Sequence, residues 1–361
     1  MINRKNHIPL YLQLANLLRE EIKTGVIAEG SKLPSETEMI RQYNLSRLTI
    51  RDALAVLANE GLIEKHHGKG TFCKTNVLQN QYKIDVLLNL TDVYFVPNYL
   101  QSICGVLEKV NATVALHDTQ NSADTICMYL EKILAEGSDG VLIQPSPDAL
   151  QPSQGLINLF KQLYTAGIPY IMVDSSYASV PQSFAIMDEV KAGALAAAHF
   201  QKLGHTNLCM VALENYADSE LRMQGFANAL EETPYRINHS PALADDIATM
   251  LAQRPDITGI FCHNDEIAKE CYKILNRLGV SIPDRISIIS VDDTVIASAL
   301  TPPLTSIVHP KTLLGEASAN GLIAIISGKE AWPYQKIFEP SLHERHSCKN
   351  LNTENTKSMP L

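Results

Sequence analysis

The sequence predicts an α/β chain in two unequal parts: a small helical head closed by a β-hairpin, and a larger body of two lobes, each a doubly wound parallel sheet. Three observations carry this expectation. The first 75 residues show helical apolar spacing followed by a basic, glycine-bracketed reversal. From residue 84 onward, short apolar runs alternate with helical stretches, the βα rhythm of parallel sheets. Charge also divides, with 11 Lys/Arg against 8 Asp/Glu in residues 1–75 and 19 against 31 in the remainder. With a net charge of −9 over 361 residues, the acidic bulk repels polyphosphate, so nucleic-acid contact is confined to the head.

Leu10, Leu14, Leu17, Leu18 and Ile22 recur at helical spacing and predict a first helix stopping near Gly25. A second begins at LPSETEM, where Ser35 and Glu38 form an S-x-x-E capping box, and ends around Tyr43. Asn44, Leu45 and Ser46 then make a tight turn, and a third helix runs to about Asn59 with Ile50, Ala53, Leu54 and Leu57 on its buried side. Helix, short turn, helix is the helix-turn-helix outline. Residues 62–65 and 71–74 flank His66, His67, Gly68, Lys69 and Gly70, a small hairpin that acts as a wing. The apolar side of the third helix leaves Arg47, Leu48 and Arg51 outward on its first turn and a half, where a recognition helix meets base edges. Arginine offers a fork of donors to the two acceptors of guanine, while the Ser46 and Thr49 hydroxyls suit phosphate or base contacts.

The head stretches PLYLQLANLLREEIKTG and GSKLPSETEMIRQYNLSRLTIRDALAVLANEGLIEKHHGKGTF resemble the winged helix-turn-helix of the GntR regulator family, including its S-R-x-T-[IV]-R core. The resemblance implies that Thr37, Arg47, Thr49, Arg51, His67, Gly68 and Lys69 lie at DNA-facing positions; Ser35, Ser46 and Leu48 complete the expected set. Thr37 departs from the arginine found in many members, which puts a base contact from the second helix in question.

The domain expectation is a head at 1–75, a polar linker at 76–83, a body at 84–345 and a disordered tail at 346–361. Apolar runs at 84–90, 113–116, 140–143, 169–173, 183–187, 207–213, 258–262 and 286–291 are the predicted strands. In open α/β sheets ligands sit beyond the carboxyl ends of strands, and Gln144, Asp174, Asp188, Asn264 and Asp292 each follow such a run. Carboxylates and amides there suit paired hydrogen bonds to sugar hydroxyls.

The motifs AGIPYIMVDSSY, SFAIMDEVKAGALAAAHFQKLGH, LRMQGFANAL, GIFCHNDEIAKECYKILNRLGVSIPDRISIISVDDT and LTPPLTSI together resemble the sugar-binding core of LacI-type repressors and periplasmic binding proteins. That likeness implies a two-lobed periplasmic-binding-protein-like fold. It also implies ligand contacts from Asp174, Asp188, Arg222, Asn264 and Asp292, with Tyr99 as an aromatic at the cleft wall. Competing readings remain: Asp174 and Asp188 as helix caps, Arg222 as a structural ion-pair partner. His263 is expected to pack rather than enter the pocket, and Asp293 to hold its loop.

A GntR head on a LacI-type sensor is similar to the arabinose-responsive repressors of Gram-positive bacteria, which implies L-arabinose as effector. A homodimer on a pseudo-palindromic duplex operator, released by sugar, is the expected mechanism. An activator of the same architecture answering another pentose or hexose stays open, as does a sugar-handling enzyme using Asp292, Asp293 and His263. GLIEKHHGKGT and GKGTFC fail the phosphate-loop and dinucleotide patterns, and no cofactor is expected. The seven cysteines lack a CxxC pair and the eleven histidines lack metal-site spacing, so reduced thiols and no metal are expected. The start MINRKNHIPLYLQ lacks a secretion signal's apolar stretch, and no run of about 18 apolar residues occurs, so a cytoplasmic location without membrane contact is expected.

Overall fold

The computed structural model describes residues 9–28, 30–66, 69–74, 82–91, 96–146, 151–177 and 180–352. They fall into two units, residues 1–81 and 82–361.

In the first unit, α1 (Leu10–Lys23), α2 (Glu36–Tyr43) and α3 (Arg47–Asn59) precede the antiparallel hairpin β1 (Ile63–His66) and β2 (Gly70–Cys73). Leu14, Leu18 and Ile22 of α1 meet Met39, Ile50, Ala53, Leu57 and Ile63 in one apolar cluster. Asn44 closes the α2–α3 turn at φ 51°, a left-handed conformation that asparagine tolerates better than most residues. Lys32 bridges to Phe72 on the open edge of β2.

The second unit is two six-stranded sheets. The first lobe holds β3 (Lys83–Leu88), α4 (Val96–Glu108), β4 (Thr113–Asp118), α5 (Ala123–Glu136), β5 (Gly140–Ile143), α6 (Gln154–Thr165), β6 (Tyr170–Asp174) and β7 (Ser183–Met187). The chain crosses at Asp188 into α7 (Glu189–Lys202), β8 (Leu208–Ala212), α8 (Ala217–Asn228), β9 (Tyr235–Asn238), α9 (Leu243–Gln253), β10 (Gly259–Cys262), α10 (Asp265–Arg277), β11 (Ser287–Asp292), α11 (Val295–Ala299) and β12 (Thr305–Val308). It returns through His309 and Pro310 into α12 (Lys311–Ile326) and β13 (Gln335–Phe338), then crosses a third time to β14 (Ser341–His343).

Strand order is β13-β7-β6-β5-β3-β4 in one lobe and β14-β12-β11-β10-β8-β9 in the other, with every pair parallel except β12–β14. Strands buried on both faces read as continuous apolar runs, and helices cover both sides. In the first lobe, α4 and α12 close one face and α5 and α6 the other. In the second, α7 and α8 oppose α9 and α10. Among the described residues no helix is long and apolar enough to cross a membrane.

The structure corrects the tail expected from residue 346. Ser347 is fully buried and donates to the Ile288 carbonyl at 2.6 Å, and Leu351 N donates to the Leu203 carbonyl at 2.8 Å. Residues 346–352 therefore close the second lobe; residues 353–361, like most of the expected linker, lie outside the described residues.

Candidate functional site

On the head, the two helix-starting serines are caps. Ser35 Oγ accepts from Glu38 N at 3.3 Å while Ser35 N donates to Glu38 Oε2 at 2.7 Å, the reciprocal capping box. Ser46 Oγ accepts from Thr49 N at 3.2 Å and lies 2.8 Å from Thr49 Oγ1, so the two hydroxyls engage each other. Thr37, Arg47 and Leu48 are exposed, Leu48 at 70%. Arg47 makes no side-chain hydrogen bond or ion pair among the described residues. Arg51, by contrast, donates through Nε to Glu36 Oε2 at 3.1 Å, and Lys65 Nζ lies 3.7 Å from Glu36 Oε1. Glu36 thus ties the recognition helix to the wing strand, a partner the sequence reading missed. Lys69 is exposed on the wing; His67 and Gly68 lie outside the described residues.

In the second unit a cavity of about 230 Å³ opens between the lobes at the carboxyl ends of their strands. The first lobe contributes Asn89 after β3, Asn121 after β4, Gln144, Pro145 and Ser146 after β5, Asp174 ending β6 and Ser175 after it. The second contributes Leu213, Tyr216, Ala217 and Asp218 around the start of α8, with Arg222 on that helix, His263 and Asn264 after β10, and Asp292 ending β11. Five residues read from the sequence, Gln144, Asp174, Arg222, Asn264 and Asp292, line this one space.

Two do not. Asp188 caps α7, its Oδ1 accepting from Lys191 N at 2.9 Å, the helix-cap alternative rather than a wall of the cavity. Tyr99 is fully buried on α4, its ring 6.4 Å from that of His309, and does not line the cavity. Burial followed by the Asp174 charge raises its phenol well above the ordinary value. His263, expected to pack aside, is buried yet lines the wall, and burial and Arg222 lower its imidazole well below the usual range.

Asp174 and Asp292 sit at φ 77° and 109°, conformations that non-glycine residues avoid and that cluster at functional sites. His309 Nε2 lies 2.9 Å from Asp174 Oδ1. Burial would raise the Asp174 carboxyl, but His309, the Tyr99 hydroxyl and Arg222 hold it below its ordinary value. Asn264 caps α10, its Oδ1 accepting from Ile267 N at 3.0 Å.

Arg222, 5% exposed, ties together the second-lobe wall: Nη2 donates to Glu189 Oε1 at 3.1 Å, Nη1 to the His263 carbonyl at 2.9 Å, and Asp292 Oδ1 is 3.8 Å away. Burial pushes Glu189 up to about 8 against the pull of Arg222, and pushes Asp218 up to about 6 with the Asp174 charge adding to it. Glu189, one residue past the predicted Asp188, is the buried carboxylate at that crossover. Asp293 holds its loop, accepting from Arg345 Nη2 at 2.6 Å.

A helix-turn-helix with a wing, joined to a two-lobed cleft lined by carboxylates and amides, defines a ligand-sensing DNA-binding regulator. Residues 10–73 match the family described as bacterial regulatory proteins, gntR family, and residues 197–348 match the periplasmic binding protein-like domain. The chain thus carries a GntR-type DNA-binding domain and a periplasmic-binding-protein-like domain.

It is similar to an arabinose metabolism transcriptional repressor of Geobacillus stearothermophilus, 29% identical over 366 residues that span 96% of this chain and 100% of that protein. The protein of the same name from Halalkalibacterium halodurans is 27% identical over 367 residues, 94% of this chain and 97% of its own. Among solved structures, a LacI family transcriptional regulator from Enterococcus faecalis with bound ribose is 26% identical, with a TM-score of 0.64 over 74% of this chain and 99% of that one.

Proposed function

We propose that this chain is a cytoplasmic, sugar-responsive transcriptional repressor whose effector is L-arabinose, acting as a homodimer on a pseudo-palindromic operator. Arg47 reads a guanine edge, with Thr37, Leu48, Thr49 and Arg51 beside it and the wing residues His67, Gly68 and Lys69 on the backbone or adjacent groove. Ser35 and Ser46 set the two helix starts at the DNA.

The observation that carries the effector reading is the cleft itself. Gln144, Asp174, Arg222, Asn264 and Asp292 converge from both lobes on about 230 Å³, below the roughly 300–1,000 Å³ typical of drug-sized ligands. That volume suits one monosaccharide. Amide and carboxylate pairs from opposite walls hydrogen-bond its hydroxyls and draw the lobes together. The two arabinose metabolism repressors support the choice of sugar.

Sugar then lowers operator affinity, and by linkage operator lowers sugar affinity by the same factor, commonly about 5 to 150-fold. Calorimetric titration of L-arabinose, D-ribose, D-xylose and D-galactose, with and without operator duplex, tests the scheme. L-arabinose binding tightest, and weaker on DNA, is expected; identical sugar affinity in both states rejects it.

A further inference from the structure

Two hydrogen bonds cross the cleft, and both end at the start of α8, one on its N-cap Tyr216 and one on Asp218. Asn121 Nδ2 donates to Tyr216 Oη at 3.0 Å, and Ser175 Oγ donates to Asp218 Oδ1 at 2.9 Å. Asn121 and Ser175 belong to loops of the first lobe, whereas Tyr216 and Asp218 belong to the second. We propose that the N-cap and first turn of α8 form a latch that holds the lobes closed, with Tyr216 and Asp218 as positioning residues that convert sugar binding into closure. The proposal rests on reading the cleft as the sugar site.

The turn is built to carry load. Leu213 N donates to Ser219 Oγ at 2.9 Å, and Ser219 is fully buried, so the loop entering α8 is pinned to the helix itself. Behind it α8 lies directly on α7: a Cβ on Gly193 would strike the Arg222 carbonyl, and one on Gly225 the Val190 carbonyl. Only glycine permits that approach. The Arg222–Glu189 pair locks the same two helices, and α7 begins at the first crossover between lobes. A pull on Tyr216 or Asp218 therefore reaches the crossover through two helices in backbone contact, whereas a flexible loop would absorb it.

Tyr216 and Asp218 also line the cavity, so a direct sugar contact is the rival role. A double-mutant cycle separates the two, because residues acting through each other lose their effects together and independent contacts add. Tyr216→Phe removes the acceptor, and Asn121→Gly removes the donor while keeping its φ of 58° accessible. In urea unfolding of the full chain without sugar, each single change is expected to lower the folding equilibrium constant about five-fold, and the double change about five-fold rather than about 25-fold.

The same pattern is expected in the L-arabinose dissociation constant. For the inner pair, Ser175→Ala and Asp218→Ala are expected to behave alike, and Asp218→Asn, which keeps an acceptor, to restore most of the loss. Additive penalties in unfolding overturn the latch whether or not any sugar binds. Non-additive unfolding with additive sugar penalties overturns the link from latch to sugar. Wild-type protein that binds none of the pentoses overturns the sugar reading itself, and the unfolding cycle still decides the latch.

Discussion

Removing the Arg222 side chain tests whether the cleft is held by a buried charge hub. Arg222→Ala strips Glu189, itself 5% exposed, of both guanidinium contacts and leaves the His263 carbonyl without its donor. Breaking a buried, hydrogen-bonded pair by deleting one partner costs about 3–5 kcal/mol, since the group left behind stays unsatisfied in low dielectric. At roughly 2–4 °C per kcal/mol for domains of this size, the sensor should melt about 10 °C lower. The deficit should grow with pH, because without arginine the Glu189 carboxyl is easier to bury protonated than ionised. Replacing the pair together, Arg222→Met with Glu189→Leu, should recover much of the loss, as apolar substitutes for buried pairs commonly do. Calorimetric melting of the three proteins at pH 6 and pH 8 is the assay. An Arg222→Ala melting point within about 2 °C of wild type, or a double variant no better than the single, refutes the hub.

On the head, Arg47→Ala should cost about 1–3 kcal/mol of specific operator affinity while sparing nonspecific binding, whereas Lys69→Ala should weaken all duplexes alike and flatten the salt dependence. Anisotropy titrations in which Arg47→Ala leaves the specific-to-nonspecific ratio unchanged would remove its assigned role. Between pH 7 and 8 stability should fall. The native Glu189 carboxyl, raised to about 8, still binds a proton that the unfolded chain has already lost, so unfolding releases protons and higher pH favours it. Below about pH 6.5 the lowered imidazoles of His199, His205 and His263 oppose this trend, so the test is confined to the upper window. Urea midpoints that stay level or rise from pH 7 to 8 contradict it.

The head was legible almost to the residue. α3 spans the predicted 47–59, and the Ser35–Glu38 box is present, because capping and amphipathic spacing are local signals. All eight apolar runs became strands, but β9, β12, β13 and β14 were not among them; β9 and β13, short edge strands carrying Arg236 and Lys336, gave too little apolar signal to read. Position relative to strand ends found four cavity residues, Gln144, Asp174, Asn264 and Asp292, and the family motif found Arg222, but position could not tell which of two neighbours is buried. At the first crossover that choice went to Glu189 over Asp188, settled by the cap on α7. Tyr99 was misplaced for the reverse reason: an aromatic near the cleft in sequence lies in the core beneath it. Glu36, His309, Tyr216 and Asp218 take their roles from partners 15 to 135 positions away, which no spacing rule sees.

The second crossover shows why the two walls depend on one another. His309 and Lys311, separated only by Pro310, reach opposite sides: His309 lies against the Asp174 carboxylate of the first lobe, and Lys311 Nζ donates to the Asp292 carbonyl of the second. Both aspartates are held at positive φ, each at a cost of about 1–3 kcal/mol that the surroundings must over-determine. A segment fixed by proline at its centre, with both its neighbours buried, supplies that restraint to both. Lobe motion about this crossover must therefore shift at least one aspartate against its anchor, so the geometry of the carboxylates and the angle between the lobes are set together.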